Sequence, residues 1–126
     1  MKFVATEGAP RAIGPYSQAV VEAGFLFASG QVPLDPATGK LVERDLEGSA
    51  ERVFDNLEAI LTQAGLGFAD VVKTTVFLTR ADDFTPLNAV YARRFGTHRP
   101  ARSTVIVAAL PAGAPLEIDL IARVAG

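Results

Sequence analysis

The 126-residue chain contains no cysteine and no tryptophan, and only one methionine and one histidine. Without cysteine there can be no disulfide, no thiolate metal site and no cysteine nucleophile. The single histidine, His98, cannot complete a Ser-His-Asp triad and still leave a ligand for a metal. No other residue is spaced for either chemistry. His98 stands in a loop beside Arg99-Pro100, where a solvated side chain is expected. The first residues, Met1 to Thr6, lack the apolar stretch of a secretory signal. The most apolar run, Val20 to Ser29, is broken by Glu22 and is too short to span a bilayer. The expectation is a cytoplasmic protein with no membrane partner.

Excess charge of either sign is also lacking. The formal net charge is -2, and basic residues are scattered among acids. No stripe of basic and aromatic residues is present, which argues against a nucleic-acid surface. What the chain does have is apolar residues, at 49% of its length, enough for a core without cross-links. There is no internal repeat, low-complexity tract or linker. One domain over residues 1–126 is expected.

Periodicity divides the chain into elements. Lys2 to Thr6 reads as a short strand, and Glu7 to Pro15 is broken by Gly8, Pro10, Gly14 and Pro15. Ala19 to Glu22 and Phe25 to Ser29 flank Ala23-Gly24, a hairpin signal. Pro33 to Lys40 is a turn-rich loop. Val53, Leu57, Ile60, Leu61 and Ala64 form one stripe of a helix over Leu46 to Ala64, with Gly65 placed to end it. Val71 to Thr79 alternates like a strand. Asp82, Asp83 and Pro86 open a second helix, striped by Leu87, Val90, Tyr91, Arg94 and Phe95 and stopped by Gly96. Ser103 to Leu110 and Leu116 to Val124 are the last strands.

This order predicts an α+β fold, a sheet with two helices packed on one face. The run Val105 to Ala108 is apolar on both sides and calls for burial on both. Phe25 and Phe77 also need cover. Two helices cover one face only, so the bare face points to a homo-oligomer, for which a three-fold ring is one closed solution.

Three polar groups stand out as candidate site residues. Arg102 sits at the mouth of an apolar strand, in Arg99-Pro-Ala-Arg-Ser-Thr-Val105. A guanidinium there needs an anionic partner, either an acid of the chain itself or a small carboxylate held by two parallel hydrogen bonds. Glu117 lies inside a strand, where an acid is disfavoured unless solvated or paired. Tyr16, in Gly14-Pro-Tyr-Ser-Gln18, is either a displayed phenol or a loop anchor. If the last two strands formed a plain hairpin, Arg102 and Glu117 would lie at opposite ends of it, well over ~10 Å apart. They can share a site only if the strands are not simple neighbours, or if different subunits supply them.

Four segments together resemble the Rid family (RidA, formerly YjgF) of imine and enamine deaminases. They are Ala12-Ile-Gly-Pro-Tyr-Ser-Gln-Ala19, Phe27-Ala-Ser-Gly-Gln31, Val72-Lys-Thr-Thr-Val-Phe-Leu78 and Arg99-Pro-Ala-Arg-Ser-Thr-Val105, with Glu117-Ile118 in step. The resemblance covers nearly the whole chain. It implies a chorismate-mutase-like fold, a homotrimer with clefts between subunits, and no cofactor or metal. It implies hydrolysis of 2-iminopropanoate and 2-iminobutanoate to 2-keto acids and ammonia. By the same resemblance Arg102 binds the substrate carboxylate and Glu117 orients the hydrolytic water. Tyr16, Ser29, Gly30 and Asn88 fall at ligand-contacting positions. Thr104 stands where many members carry Cys; its backbone can still serve the ligand, while thiol reactivity is lost. The rival expectation is a small-carboxylate-binding or regulatory protein with the same cleft and no turnover.

Overall fold

The computed structural model describes residues 1–124. A six-stranded mixed sheet carries two helices, an α+β fold. Strands β1 (Lys2–Val4), β2 (Ala19–Glu22) and β3 (Phe25–Gln31) form an antiparallel meander. Its β2–β3 turn is the expected hairpin: Ala23 and Gly24 have φ of 54° and 83°, the positive pair that a twist-matched two-residue turn requires.

Helix α1 (Leu46–Gln63) begins where the Asp45 carboxylate accepts the Gly48 N–H at 2.8 Å. It ends in a Schellman motif, Leu66 N–H donating to Leu61 and Gly65 N–H to Thr62, with Gly65 left-handed at φ 76°. β4 (Val71–Leu78) then leads through a 3-10 turn over Ala81–Asp83 into α2 (Phe84–Phe95). α2 starts just beyond the two acids expected to open it, and Gly96 ends it at φ 66°. Arg94 ties α2 to α1, donating to Glu51 and Asp55 at 2.9 Å each. It also stacks on Phe54 and Phe68.

β5 (Ala101–Ile106) returns parallel to β4, as a crossover through a helix allows. β6 (Leu116–Arg123) inserts between β3 and β4, antiparallel to both, giving the order β1-β2-β3-β6-β4-β5. Phe54, Leu57, Ile60, Leu87 and Val90 of the helices bury against Leu26, Val76, Leu78, Leu116 and Ile118 of the sheet, all at most 1% exposed.

The sequence expectation differs from the structure at two points. The strand expected over Ser103 to Leu110 ends at Ile106, because β4 stops at Leu78 and leaves nothing to pair with beyond it. That strand is the edge of the sheet, with Val105 41% and Ile106 51% exposed. His98 is not freely solvated: its Nε2 donates to the Val71 carbonyl at 2.6 Å, pinning the α2–β5 loop to the start of β4. The sheet face away from the helices is bare, as expected. Phe3, Phe25, Phe27 and Val105 remain exposed there, beside the half-buried Val20, Phe77 and Ile121. Among the described residues no helix is long and apolar enough to cross a membrane.

Alanine holds positive φ poorly, because its Cβ crowds the carbonyl. Ala23→Asn should therefore stabilise the hairpin and raise the urea unfolding free energy by roughly 1 kcal/mol. An unchanged unfolding midpoint would show that the turn carries no such strain.

Candidate functional site

β4 separates β5 from β6, so the last two strands are not a hairpin. Register then decides which way each candidate side chain points. Arg102 pairs with Thr74, and Thr104 with Val76. Thr74 and Val76 are fully buried beneath the helices, so Arg102 and Thr104 belong to the helix-covered face. Glu117 pairs with Phe77 and lies between the buried Leu116 and Ile118, so it belongs to the bare face. Within one chain the two candidate charged groups are on opposite faces of the sheet.

Around Arg102, α2 presents Phe84, Asn88 and Tyr91 at helical spacing on one side. The guanidinium donates from Nη1 to Asn88 Oδ1 at 2.8 Å. Its Cζ stands 4.7 Å from the Tyr91 ring centroid and 5.5 Å from that of Phe84. Among the described residues no carboxylate lies within ion-pairing distance of Arg102. The internal salt bridge that could have explained this arginine is not formed. Asn88, expected to contact a ligand, has its carbonyl oxygen engaged by Arg102.

The second group lies on β3 and β6. Gly30 sits at a register shift between Ala28 and Gln31. A Cβ there would lie 2.6 Å from Glu117 Oε2, so only glycine lets the Glu117 carboxylate lie against the β3 backbone. Burial pushes the Glu117 carboxyl above its usual range, and the Asp119 carboxylate adds to the shift. Ser29 donates its hydroxyl to the Ser17 carbonyl at 2.6 Å, which ties the Tyr16 loop to β3. Tyr16 is 53% exposed, a displayed phenol rather than a core anchor. It lines a groove of about 800 Å³ between the amino-terminal loop and the Leu34–Gly39 turn, whose lining does not include Arg102, Asn88, Thr104 or Glu117.

Two contributors were not singled out from the sequence. Gln18 is buried and knits the Tyr16 loop, donating to the Thr6, Ala9 and Pro10 carbonyls and accepting from Thr6 N–H. Tyr91 had been placed only in an apolar stripe, yet its hydroxyl is 2.7 Å from Thr74 Oγ1 and its ring underlies Arg102. A buried glutamine among glycine and proline residues was a usable signal. Nothing local marked Tyr91. Among the described residues, no group of three or more His, Cys, Asp or Glu side chains is placed to hold a metal.

Thr104 directs its hydroxyl inward, buried and, among the described residues, without a hydrogen-bond partner. Such a group carries its desolvation cost uncompensated. Thr104→Val should raise stability by about 1 kcal/mol in urea unfolding. A loss of stability instead would show that the hydroxyl is partnered in solution.

Residues 6–124 match the family described as Endoribonuclease L-PSP. The chain is 54% identical over 123 residues to protein DfrA of Myxococcus xanthus, covering 96% of this chain and 94% of that one. It is 46% identical over 124 residues to the 2-iminobutanoate/2-iminopropanoate deaminase of Salmonella typhimurium, covering 96% of each. The crystal structure of the Rid-family protein YyfA from Yersinia pestis superposes with a TM-score of 0.95 at 50% identity, over 98% of both chains. A match this complete in sequence and fold makes the chain a member of the Endoribonuclease L-PSP (YjgF/RidA/Rid) family.

Proposed function

We propose that this protein hydrolyses short 2-imino acids, 2-iminopropanoate and 2-iminobutanoate, to 2-keto acids and ammonia. The site would lie in clefts between the subunits of a homotrimer. The observation that carries the reading is Arg102: a guanidinium held by an amide oxygen and two aromatic faces, with no acid among the described residues to neutralise it. Such a group matches a carboxylate bidentately. Similarity to a relative named as a deaminase of these imines supports the substrate class.

The two sheet faces support a cleft between copies. Arg102 and Glu117 cannot meet within one chain, and the Glu117 face carries the exposed Phe25, Phe27 and Val105. Burying that apolar face against a second copy would bring the Glu117, Gly30 and Tyr16 of one subunit toward the Arg102 edge of another. Arg102 would fix the substrate carboxylate and with it the exposed face of the C=N bond. A water held by Glu117 would attack C2, and its proton would pass to the carboxylate. The protonated Glu117 would return that proton to nitrogen to give the neutral carbinolamine, whose hydroxyl proton would then pass to nitrogen as the C–N bond breaks, releasing ammonia and leaving the ketone with Glu117 again ionised. Ser29 and Gly30, the Thr104 backbone and Tyr16 would line the cleft. The imine is already electrophilic, so positioning supplies much of the acceleration.

An RNA-cleaving reading, which the family description raises, has less support. Net charge is -2, and the one histidine is engaged with the Val71 carbonyl.

Turnover is measured by coupling an imine-producing amino-acid oxidase to semicarbazide trapping of the unhydrolysed imine. Arg102→Ala should abolish hydrolysis with fold and oligomer intact. Arg102→Lys should fail nearly as badly, since it keeps charge but loses the fork. Activity at the wild-type level in either variant removes Arg102 from the mechanism. Saturable keto-acid binding with no acceleration by the wild type would favour a binding or regulatory role instead.

Glu117 gives a pH prediction. It must be ionised to accept a proton, so kcat/KM falls as pH drops through its value. Burial and Asp119 raise that value, so the acid limb should stand above the ordinary 4.5. Glu117→Gln should lose roughly 10²- to 10⁴-fold in turnover and lose the limb with it. A wild-type limb at the ordinary carboxylate value would count against the role.

A further inference from the structure

Arg102 is one side of a closed circuit. Its backbone pairs with Thr74 across the β4–β5 ladder. The Thr74 hydroxyl, fully buried, is 2.7 Å from the Tyr91 hydroxyl on α2. The Tyr91 ring then returns to the Arg102 guanidinium at 4.7 Å. The ring is itself wedged, with its centroid 4.6 Å from that of Phe95 and 5.9 Å from that of Phe54. Phe84, one helical turn before Asn88, approaches the guanidinium at 5.5 Å and is 42% exposed.

We infer that α2 is a positioning cradle for Arg102, with Tyr91 as its floor and Phe84 as its wall. Two properties follow from the chemistry of the contacts. An arginine side chain loses much rotamer freedom on binding a ligand, and a guanidinium stacked in advance has already lost it. The stacking partners are neutral, so the full positive charge stays available, whereas a carboxylate in their place would compete with the ligand. Asn88 Oδ1 occupies one N–H, and among the described residues no other side chain or carbonyl takes the remaining donors of the fork. Tyr91 and Phe84 are therefore positioning residues: they act on the ligand through Arg102. The inference rests on the proposed binding of a carboxylate by Arg102.

The test uses pyruvate as probe and isothermal calorimetry on the intact protein at low salt. Wild type should bind and Arg102→Ala should not. Tyr91→Phe keeps the ring but strands the Thr74 hydroxyl. It should lose stability in urea while holding the dissociation constant within about 3-fold. Tyr91→Leu removes the floor and should weaken binding about 5- to 30-fold. Phe84→Leu, at an exposed position with little core to disturb, should weaken it about 2- to 5-fold. A purely structural role for Tyr91 would move stability in both variants but would not separate Phe from Leu in affinity. Binding by Tyr91→Leu at the wild-type level overturns the cradle and leaves the carboxylate reading standing. If Tyr91→Leu does not fold, Phe84→Leu decides, and an unchanged constant there overturns the cradle. Equal affinity in wild type and Arg102→Ala, or no binding by wild type, sinks the carboxylate reading and the cradle with it.

Discussion

The structure turns on a positive charge that is held but not neutralised. Arg102 stands at an edge strand, fixed by an amide oxygen and two aromatic faces. Each of these contacts fixes the guanidinium without cancelling its charge, and a partly desolvated cation of this kind attracts an anion from outside the fold. Much of the neighbouring architecture serves that placement. The β4–α2–β5 crossover puts a helix over Arg102. The Thr74–Tyr91 contact registers that helix against the ladder. Arg94, bonded to Glu51 and Asp55, braces α2 against α1.

The opposing carboxylate is treated differently. Glu117 is packed against the Gly30 backbone with Asp119 nearby, on the face that no helix covers. Burial and the Asp119 carboxylate favour its protonated form. A cation secured on one face and a reluctant anion on the other, one sheet thickness apart in direction, suit a site assembled from two copies better than a site within one. The exposed phenylalanines of the bare face would give such an assembly its apolar contact area.

Local structure was largely legible in the residues. Both helices, their glycine stops at Gly65 and Gly96 and the Ala23-Gly24 hairpin lie where periodicity and turn chemistry put them. These features depend on neighbours a few positions apart, which a sequence displays directly. The misplacements have one common cause. The strand expected to run through Leu110 is too long because apolar composition does not show where its partner strand stops. His98 looked free because its acceptor, Val71, is 27 residues away.

The sequence by itself determined the element types, the bare apolar face, the absence of thiol chemistry and the standing of Arg102, Glu117 and Tyr16 as candidates. It also determined family membership, through short motifs that survive without knowledge of pairing. Only the tertiary structure decided that β6 lies between β3 and β4, that Arg102 and Glu117 therefore face opposite ways, and that Tyr91 rather than an acid lies under the guanidinium. Strand order and face are set by long-range ladders and by which helix covers which side. No local pattern of spacing carries that information.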